Sequence, residues 1–403
     1  MLRRSSRATL CIVSLALVGA TTFDTAYARA GRGLPSEGDL KTESTEQNTK
    51  KSTAPVQDKT AEREARQLID EARARFKANN QNCSDIETAL RNYPVNAIPA
   101  IVDAMDTNDE TIQTPMANLL NRLTGYEDFY FSNQSVKTII GILKSSQKRE
   151  IKSSLLSALG NIGPRNDDIK AAIIQTLNTS PEPAVKRAAL DALARLAQQE
   201  RPALAAETTK ILVTELSNQD SQLIRQSALY ALSRFRANPD FVVPALMKTL
   251  DDNYAIVRNA GCQALGSYQS SSKAAIPKLI EMIKTESDSS IKYSAMNALQ
   301  SIDRKDPHIL QLYIDLLDDP LLSRNAVSYL SNFGADAAPA VPKLIDMLKS
   351  GDVHTKHQAA EVLGHIGPAA RVALPALTEA LKDPDTSLVR YAEQAITRLN
   401  QAN

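Results

Sequence analysis

Asp251-Asp-Asn-Tyr-Ala-Ile-Val257-Arg258-Asn-Ala-Gly-Cys-Gln-Ala264-Leu265-Gly266 decides how the rest of the chain is read. Val257, Ala264, Leu265 and Tyr268 stand at offsets 0, 7, 8 and 11, which lie along one face of an α-helix. The aspartates before them are turn formers that can cap the helix they precede. A small alanine beside the leucine lets a second helix come close.

The same pattern recurs along most of the chain. Aligning on the position of Leu265 gives Leu120, Leu159, Leu193, Leu232, Leu265, Leu299, Leu330, Leu363 and Ile396, with gaps of 39, 34, 39, 33, 34, 31, 33 and 33 residues. Eight residues before each stand Ile112, Ile151, Val185, Ile224, Val257, Ile291, Leu322, Thr355 and Leu388, apolar in all but one case. Pro99, Pro244, Pro277, Pro342 and Pro375 fall 13 or 14 residues earlier still, in stretches such as Ile276-Pro-Lys-Leu-Ile-Glu-Met-Ile283. A proline there starts a helix or kinks its first turn. Each unit is therefore a pair of helices, and a repeat of this length cannot bury its apolar face alone but must stack on its neighbours.

Composition agrees with thin cores shared between helices. The 403 residues include 14 Gly and no Trp, and aromatics make up 4%. That disfavours a large α/β enzyme, whose turns and phosphate loops draw on glycine. The net charge of +1 disfavours a globally basic nucleic-acid binder.

The N-terminus reads differently. Three arginines in residues 1–7, an apolar run from Ala8 to Ala20 and Ala26-Tyr27-Ala28 form a secretory signal-peptide pattern, with cleavage expected after Ala28. Thirteen helical residues span about 20 Å, short of the roughly 30 Å a membrane span needs. The expectation is an exported protein, periplasmic or secreted, with no membrane span once the signal is cleaved. Residues 29–60 carry too few apolar side chains to order and read as a polar linker, residues 61–97 as a helical N-terminal cap, and residues 98–403 as the repeat array. Cys83 and Cys262 lie 179 residues apart, several repeats from each other, and are expected as free thiols.

The quoted stretch, and Thr355-Lys-His-Gln-Ala-Ala-Glu-Val-Leu363-Gly-His-Ile-Gly-Pro368, resemble HEAT repeats, particularly the HEAT-like type named after phycobilisome lyases. The resemblance implies an all-α fold, a right-handed α-α superhelix of the HEAT/armadillo-like solenoid kind with about nine helix pairs. It also implies that the second helices line a concave surface. Repeat one departs with Pro115, repeat seven has Ser323 where most have Lys or Arg, and repeat nine has Val389 there. The basic residues at that place in the other repeats, Lys152, Lys186, Arg225, Arg258, Lys292 and Lys356, are expected to pair with inter-helix aspartates of adjacent repeats.

Offsets 2, 6 and 10 on each second helix should face away from the core. Across the repeats these positions hold seven arginines, no lysine and two acids, a net +5 on a chain of net +1. Arginine's planar fork suits carboxylates, and Arg and Tyr suit interface hot spots. Arg122, Arg187, Arg195, Tyr230, Arg234, Tyr293, Asn297, Arg324, Arg390 and Arg398 are the expected contact residues for a protein partner with an acidic surface. No catalytic residue, cofactor or nucleic-acid partner is expected, and the chain is expected to act as a monomeric, non-enzymatic scaffold of the cell envelope or secreted space.

The same residues bear on other chemistries. His357, Glu361 and His365, four apart on one stripe, form a weak zinc candidate with His354 one turn before. The segment around Lys356-His357 also looks like the repeats of deoxyhypusine hydroxylase, but Gln358 stands where a ligating glutamate is needed. DNA glycosylases of similar repeats use tryptophan, which is lacking. A bilin lyase or isomerase is an alternative suggested by the repeat type, against which export argues. An inhibitor of a secreted toxin is another.

Overall fold

The computed structural model describes residues 58–401 except 81, 108, 127–128, 165–166, 200–201 and 220. The signal peptide and nearly all of the linker expected for residues 1–60 lie outside the described residues. Helices α1 (Lys59–Lys77) and α2 (Ser84–Leu90) precede nine pairs. These are α3 (Ala97–Met105) with α4 (Glu110–Leu123), α5 (Asn133–Ser145) with α6 (Arg149–Ile162), and α7 (Asp167–Thr179) with α8 (Pro183–Gln199). Next come α9 (Pro202–Glu215) with α10 (Gln222–Phe235), α11 (Pro239–Lys248) with α12 (Ala255–Ser267), and α13 (Ile276–Thr285) with α14 (Ser289–Ile302). Then follow α15 (Pro307–Asp315) with α16 (Ser323–Leu330), α17 (Val341–Ser350) with α18 (Val353–Ile366), and α19 (Leu374–Ala380) with α20 (Thr386–Asn400). Among the described residues there is no strand.

The second helices pack on one another in sequence, α4 on α6, α6 on α8, and so on through α14, with α16 on α18 and α18 on α20. The aligned leucines from Leu120 to Leu363 are fully buried between the layers. Ile396 of the last repeat is only half-buried, and among the described residues no helix follows α20 to cover it. Glycine sets the closest approaches. A Cβ built on Gly160 would lie 2.8 Å from the Cα of Ala192, one on Gly364 would lie 3.0 Å from that of Ala395, and one on Gly266 3.1 Å from that of Ala298. In each case the residue after one aligned leucine meets the alanine before the next, the close contact the alanine pattern predicted.

Aspartates start the second helices as expected. Asp109, Asp288, Asp352 and Asp385 accept backbone N–H groups in the first turn, and Asp252 and Asp319 do so from Tyr254 and from Leu321 and Leu322. Pro277, Pro342 and Pro375 occupy the first turns of α13, α17 and α19, whereas Pro244 and Pro115 sit inside α11 and α4. Gly163 and Gly367 end α6 and α18 at φ +85° and +72°, a conformation that favours glycine.

Repeat seven departs from the pattern read in sequence. Its second helix has 8 residues against 14 in α14, so Leu322 precedes the helix and Phe333 follows it in a 3-10 segment. The residues that elsewhere permit close packing are here Gln300 and Tyr329, and α14 and α16 meet only sparsely. Aromatic rings fill the space: Tyr313, fully buried, lies 5.4 Å from the ring of Tyr329 and 6.3 Å from that of Phe333.

Both ends of the described stack are covered or polar. α1 packs on α3 and α4 through Ala65, Ile69, Ala72 and Phe76. On α20, Glu393, Thr397 and Asn400 occupy the outer positions that face a neighbour in α18. Cys83 and Cys262 are free and buried.

The ion-pair ladder forms in part. Arg225 grips Asp252 through two bonds of 2.7 and 2.9 Å, with side chains only 9% and 12% exposed. Arg258 reaches Glu286 at 2.7 Å and also donates to the carbonyl of Asp252, and Lys356 reaches Asp383 at 3.3 Å. In repeat seven Arg324, one place late, pairs with Asp352. No such pair forms at Lys152, Lys186 or Lys292 among the described residues.

Candidate protein-binding surface

Every position at offsets 2, 6 and 10 is exposed or half-buried, so the stripe faces away from the core along all nine second helices. Exposure alone does not make these residues available to a partner. Arg122 is bound at 2.7 Å to Glu87 of α2. Arg324 is held by Asp352, and Arg390 lies over the ring of Tyr391 at 5.2 Å. Tyr293 donates to the carbonyl of Leu321 at 3.0 Å, and Asn297 accepts from the hydroxyl of Tyr329.

Arg195 departs furthest from a free contact residue. It is half-buried, and its Nη1 donates to the hydroxyl and carbonyl of Ser157 and to Oδ1 of Asn161, tying α8 to α6. Burial pulls its pKa below the usual arginine value. Reversing its charge would therefore disturb the stack as well as any interface.

Arg187 and Arg234 differ: neither guanidinium has a hydrogen bond or an ion pair among the described residues. Arg187 lines a groove of about 440 Å³ on the second helices of repeats two to four, and Arg234 lies close enough for its charge to act on Asp191 within it. Ser153, Ser157, Arg187, Asp191, Arg195, Leu223, Gln226 and Tyr230 line it. Tyr230 is 43% exposed, and its hydroxyl accepts from Gln226 at 3.1 Å. Asp191 sits between Arg187 and Arg195, one helical turn from each. Burial raises its carboxyl pKa, against the pull of Arg195, Arg234 and Arg187, and no side chain donates to it. The groove thus offers one free arginine, Arg187, an underused carboxylate and an exposed tyrosine, with the free Arg234 close enough for its charge to act on that carboxylate.

The offset pattern missed one row. Offset −1 falls three turns before offset 10 at 3.6 residues per turn, so it belongs to the same stripe. It holds Ala184, Leu223, Ile256 and Leu321 in repeats three, four, five and seven. Leu223, Ile256 and Leu321 are 47%, 42% and 49% exposed. Extending the offset arithmetic one turn towards the N-terminus would have found them, because only an apolar residue on a polar stripe breaks the pattern.

His357 stands 3.2 Å from a carboxylate oxygen of Asp385 and 5.5 Å from the ring of Tyr391, while Glu361 and His365 are exposed. Among the described residues no group of three or more His, Cys, Asp or Glu side chains stands close enough to hold a metal ion. The spacing of four that suggested zinc is taken up at His357 by the cap of the next helix. Among the described residues no helix is long and apolar enough to cross a membrane.

A family model described as HEAT repeats matches residues 209–300 and 307–397. The X-ray structure of the Escherichia coli protein YibA is 17% identical with a TM-score of 0.50, covering 74% of this chain and 100% of that one. Kap95p, in a structure that concerns its binding to RanGDP, is 14% identical with a TM-score of 0.59, covering 84% of this chain and 50% of its own. Importin beta is 11% identical with a TM-score of 0.58, covering 83% and 50%. The chain therefore spans about half the length of these two proteins. At such identities the likeness is one of fold.

Proposed function

Because the chain is a HEAT-repeat α-solenoid, a fold whose members generally mediate protein binding, we propose that it is a non-enzymatic scaffold that captures a protein partner on the outward stripe of its second helices. One observation carries this reading: the groove of repeats two to four holds Arg187 with no partner, beside exposed Tyr230 and Leu223, and unpartnered Arg234 of α10 stands close enough for its charge to act on Asp191 in that groove. Arg and Tyr are the residues that dominate interface energies, and a desolvated arginine fork is satisfied best by a carboxylate. The partner accordingly presents an acidic surface. The covered first repeat and the polar outer face of α20 favour a monomer over end-to-end stacking, and the N-terminal signal pattern favours work in the envelope or the secreted space.

Affinity capture of the exported protein from its native extract, with mass-spectrometric identification, tests this reading. An Arg187→Glu/Arg234→Glu variant should keep its circular dichroism spectrum and lose the captured partner. An unchanged capture list would place binding elsewhere on the molecule. Recovery only in the cytoplasm would remove the envelope setting.

A further inference from the structure

We infer that the occupant of this surface is an amphipathic α-helix of the partner, apolar on one flank and acidic on the other, lying across the second helices of repeats three to five. The inference rests on the scaffold reading above and narrows it from an acidic surface to one shape.

The width of the stripe comes first. Leu223 and Arg234 are eleven residues apart on α10, about 16 Å at 1.5 Å per residue. Leu223 and Ile256, exposed at offset −1, form an apolar lip on one side, and at offset 10 the exposed, unpartnered Arg234 forms a cationic lip on the other, beside Arg195, which is tied to α6. Between them Gln226 and Tyr230 make a polar floor on α10. A helix about 10–12 Å across fits between two such lips and touches both.

Spacing across the repeats separates a helix from a β-strand. Packed helices stand about 8–10 Å apart, so Leu223 and Ile256, at the same offset of adjacent repeats, call for apolar side chains at that interval. On a helix, residues seven apart share a face and are separated by about 10.5 Å. On a strand, residues sharing a face recur at about 6.6 or 13 Å, and neither matches.

Asp191 makes the charge pattern directional. It lies in the floor on α8, half-buried, with no donor, while Arg187 and Arg195 stand one turn to either side. A segment acidic all round would set carboxylates against it. A helix that keeps its acids on the Arg195–Arg234 flank avoids this repulsion.

The test uses the full chain and two fluorescein-labelled, staple-stabilised 18-residue peptides. One has leucines seven apart on one flank and glutamates on the other; the second has the same composition with both types distributed around the helix. Fluorescence anisotropy should show the first binding at least about tenfold more tightly. Leu223→Ser and Ile256→Ser, both at exposed positions, should each weaken it about fivefold without changing the circular dichroism. Equal binding of both peptides, weakened alike by Arg187→Glu/Arg234→Glu, would overturn the helix while leaving the acidic-partner reading standing. Failure of both peptides to bind would overturn the helix and the acidic-partner reading together. Preferential binding indifferent to the Leu223 and Ile256 changes would overturn the assigned lip.

Discussion

Replacing Gly160 by alanine sets two effects of known sign against each other. Alanine is favoured over glycine inside a helix by about 1 kcal/mol, so the substitution should stabilise α6 taken alone. The new Cβ, however, would lie 2.8 Å from the Cα of Ala192 and 3.2 Å from its carbonyl oxygen. Carbon atoms rest at about 3.5–4.0 Å, so α6 and α8 would have to separate by roughly 1 Å. Because the obstructing atoms are backbone, no rotamer change relieves the contact. Overpacking of this kind costs about 1–3 kcal/mol, which leaves Gly160→Ala destabilised by as much as about 2 kcal/mol. Gly141→Ala is the control, since a Cβ at that exposed position in α5 meets nothing within 4 Å and the propensity gain should appear alone. The difference between the two variants then isolates the steric cost. Stability in a repeat array is a sum of repeat and interface terms, so hydrogen exchange resolved to α6 and α8 should accompany urea denaturation. Equal stabilisation by both substitutions would refute the claim that glycine sets the spacing of these helices.

Asp252→Ala should lower stability by about 3 kcal/mol, because it leaves the guanidinium of Arg225 buried without its carboxylate, whereas Glu379→Ala at the exposed Lys382 pair should have little effect; urea midpoints compare the two. Acid should unfold the protein through the same network. Hydrogen bonds from Arg75 hold Asp85 at about 2, and the backbone N–H of Thr355 followed by Arg324 hold Asp352 at about 2; Arg258 depresses Glu286, and the bonds from Arg225 and Tyr254 outweigh burial to depress Asp252. Depressed carboxylates give stability that is full above their unfolded values near about 4 and is lost as pH falls through the folded ones, so denaturation midpoints should drop between about pH 4.5 and 2. Asp191 works in the opposite sense, since its raised pKa makes protonation favourable, and Asp191→Asn should be neutral or stabilising at pH 7. Cys262, pushed up to about 12 by burial, and buried Cys83 should both resist a thiol reagent until denaturant is added, as peptide mapping would show; rapid native labelling of Cys262 would contradict its packing.

The helix pairs were legible because burial repeats at fixed offsets: Val257, Ala264 and Leu265 announce a face, and the same face returns at Leu299 and Leu363. The outward stripe followed from that periodicity by subtraction. What periodicity carries is direction from a helix axis, and so Arg187 and Arg195, eight residues apart, looked equivalent. Only the stack distinguishes them, because Ser157 and Asn161 of the preceding repeat reach one and not the other. Repeat seven departs from the periodicity for a related reason. Its offsets are apolar, but α16 has only 8 residues, and the aromatic filling among Tyr313, Tyr329 and Phe333 is a matter of volume between helices. The sequence by itself determined that the chain stacks helix pairs and which face of each points outward, since both depend on local period. Tertiary structure decided which outward arginines remain free, where helices touch backbone to backbone, and where an apolar lip meets a cationic one, since these depend on neighbours about 35 residues away along the chain.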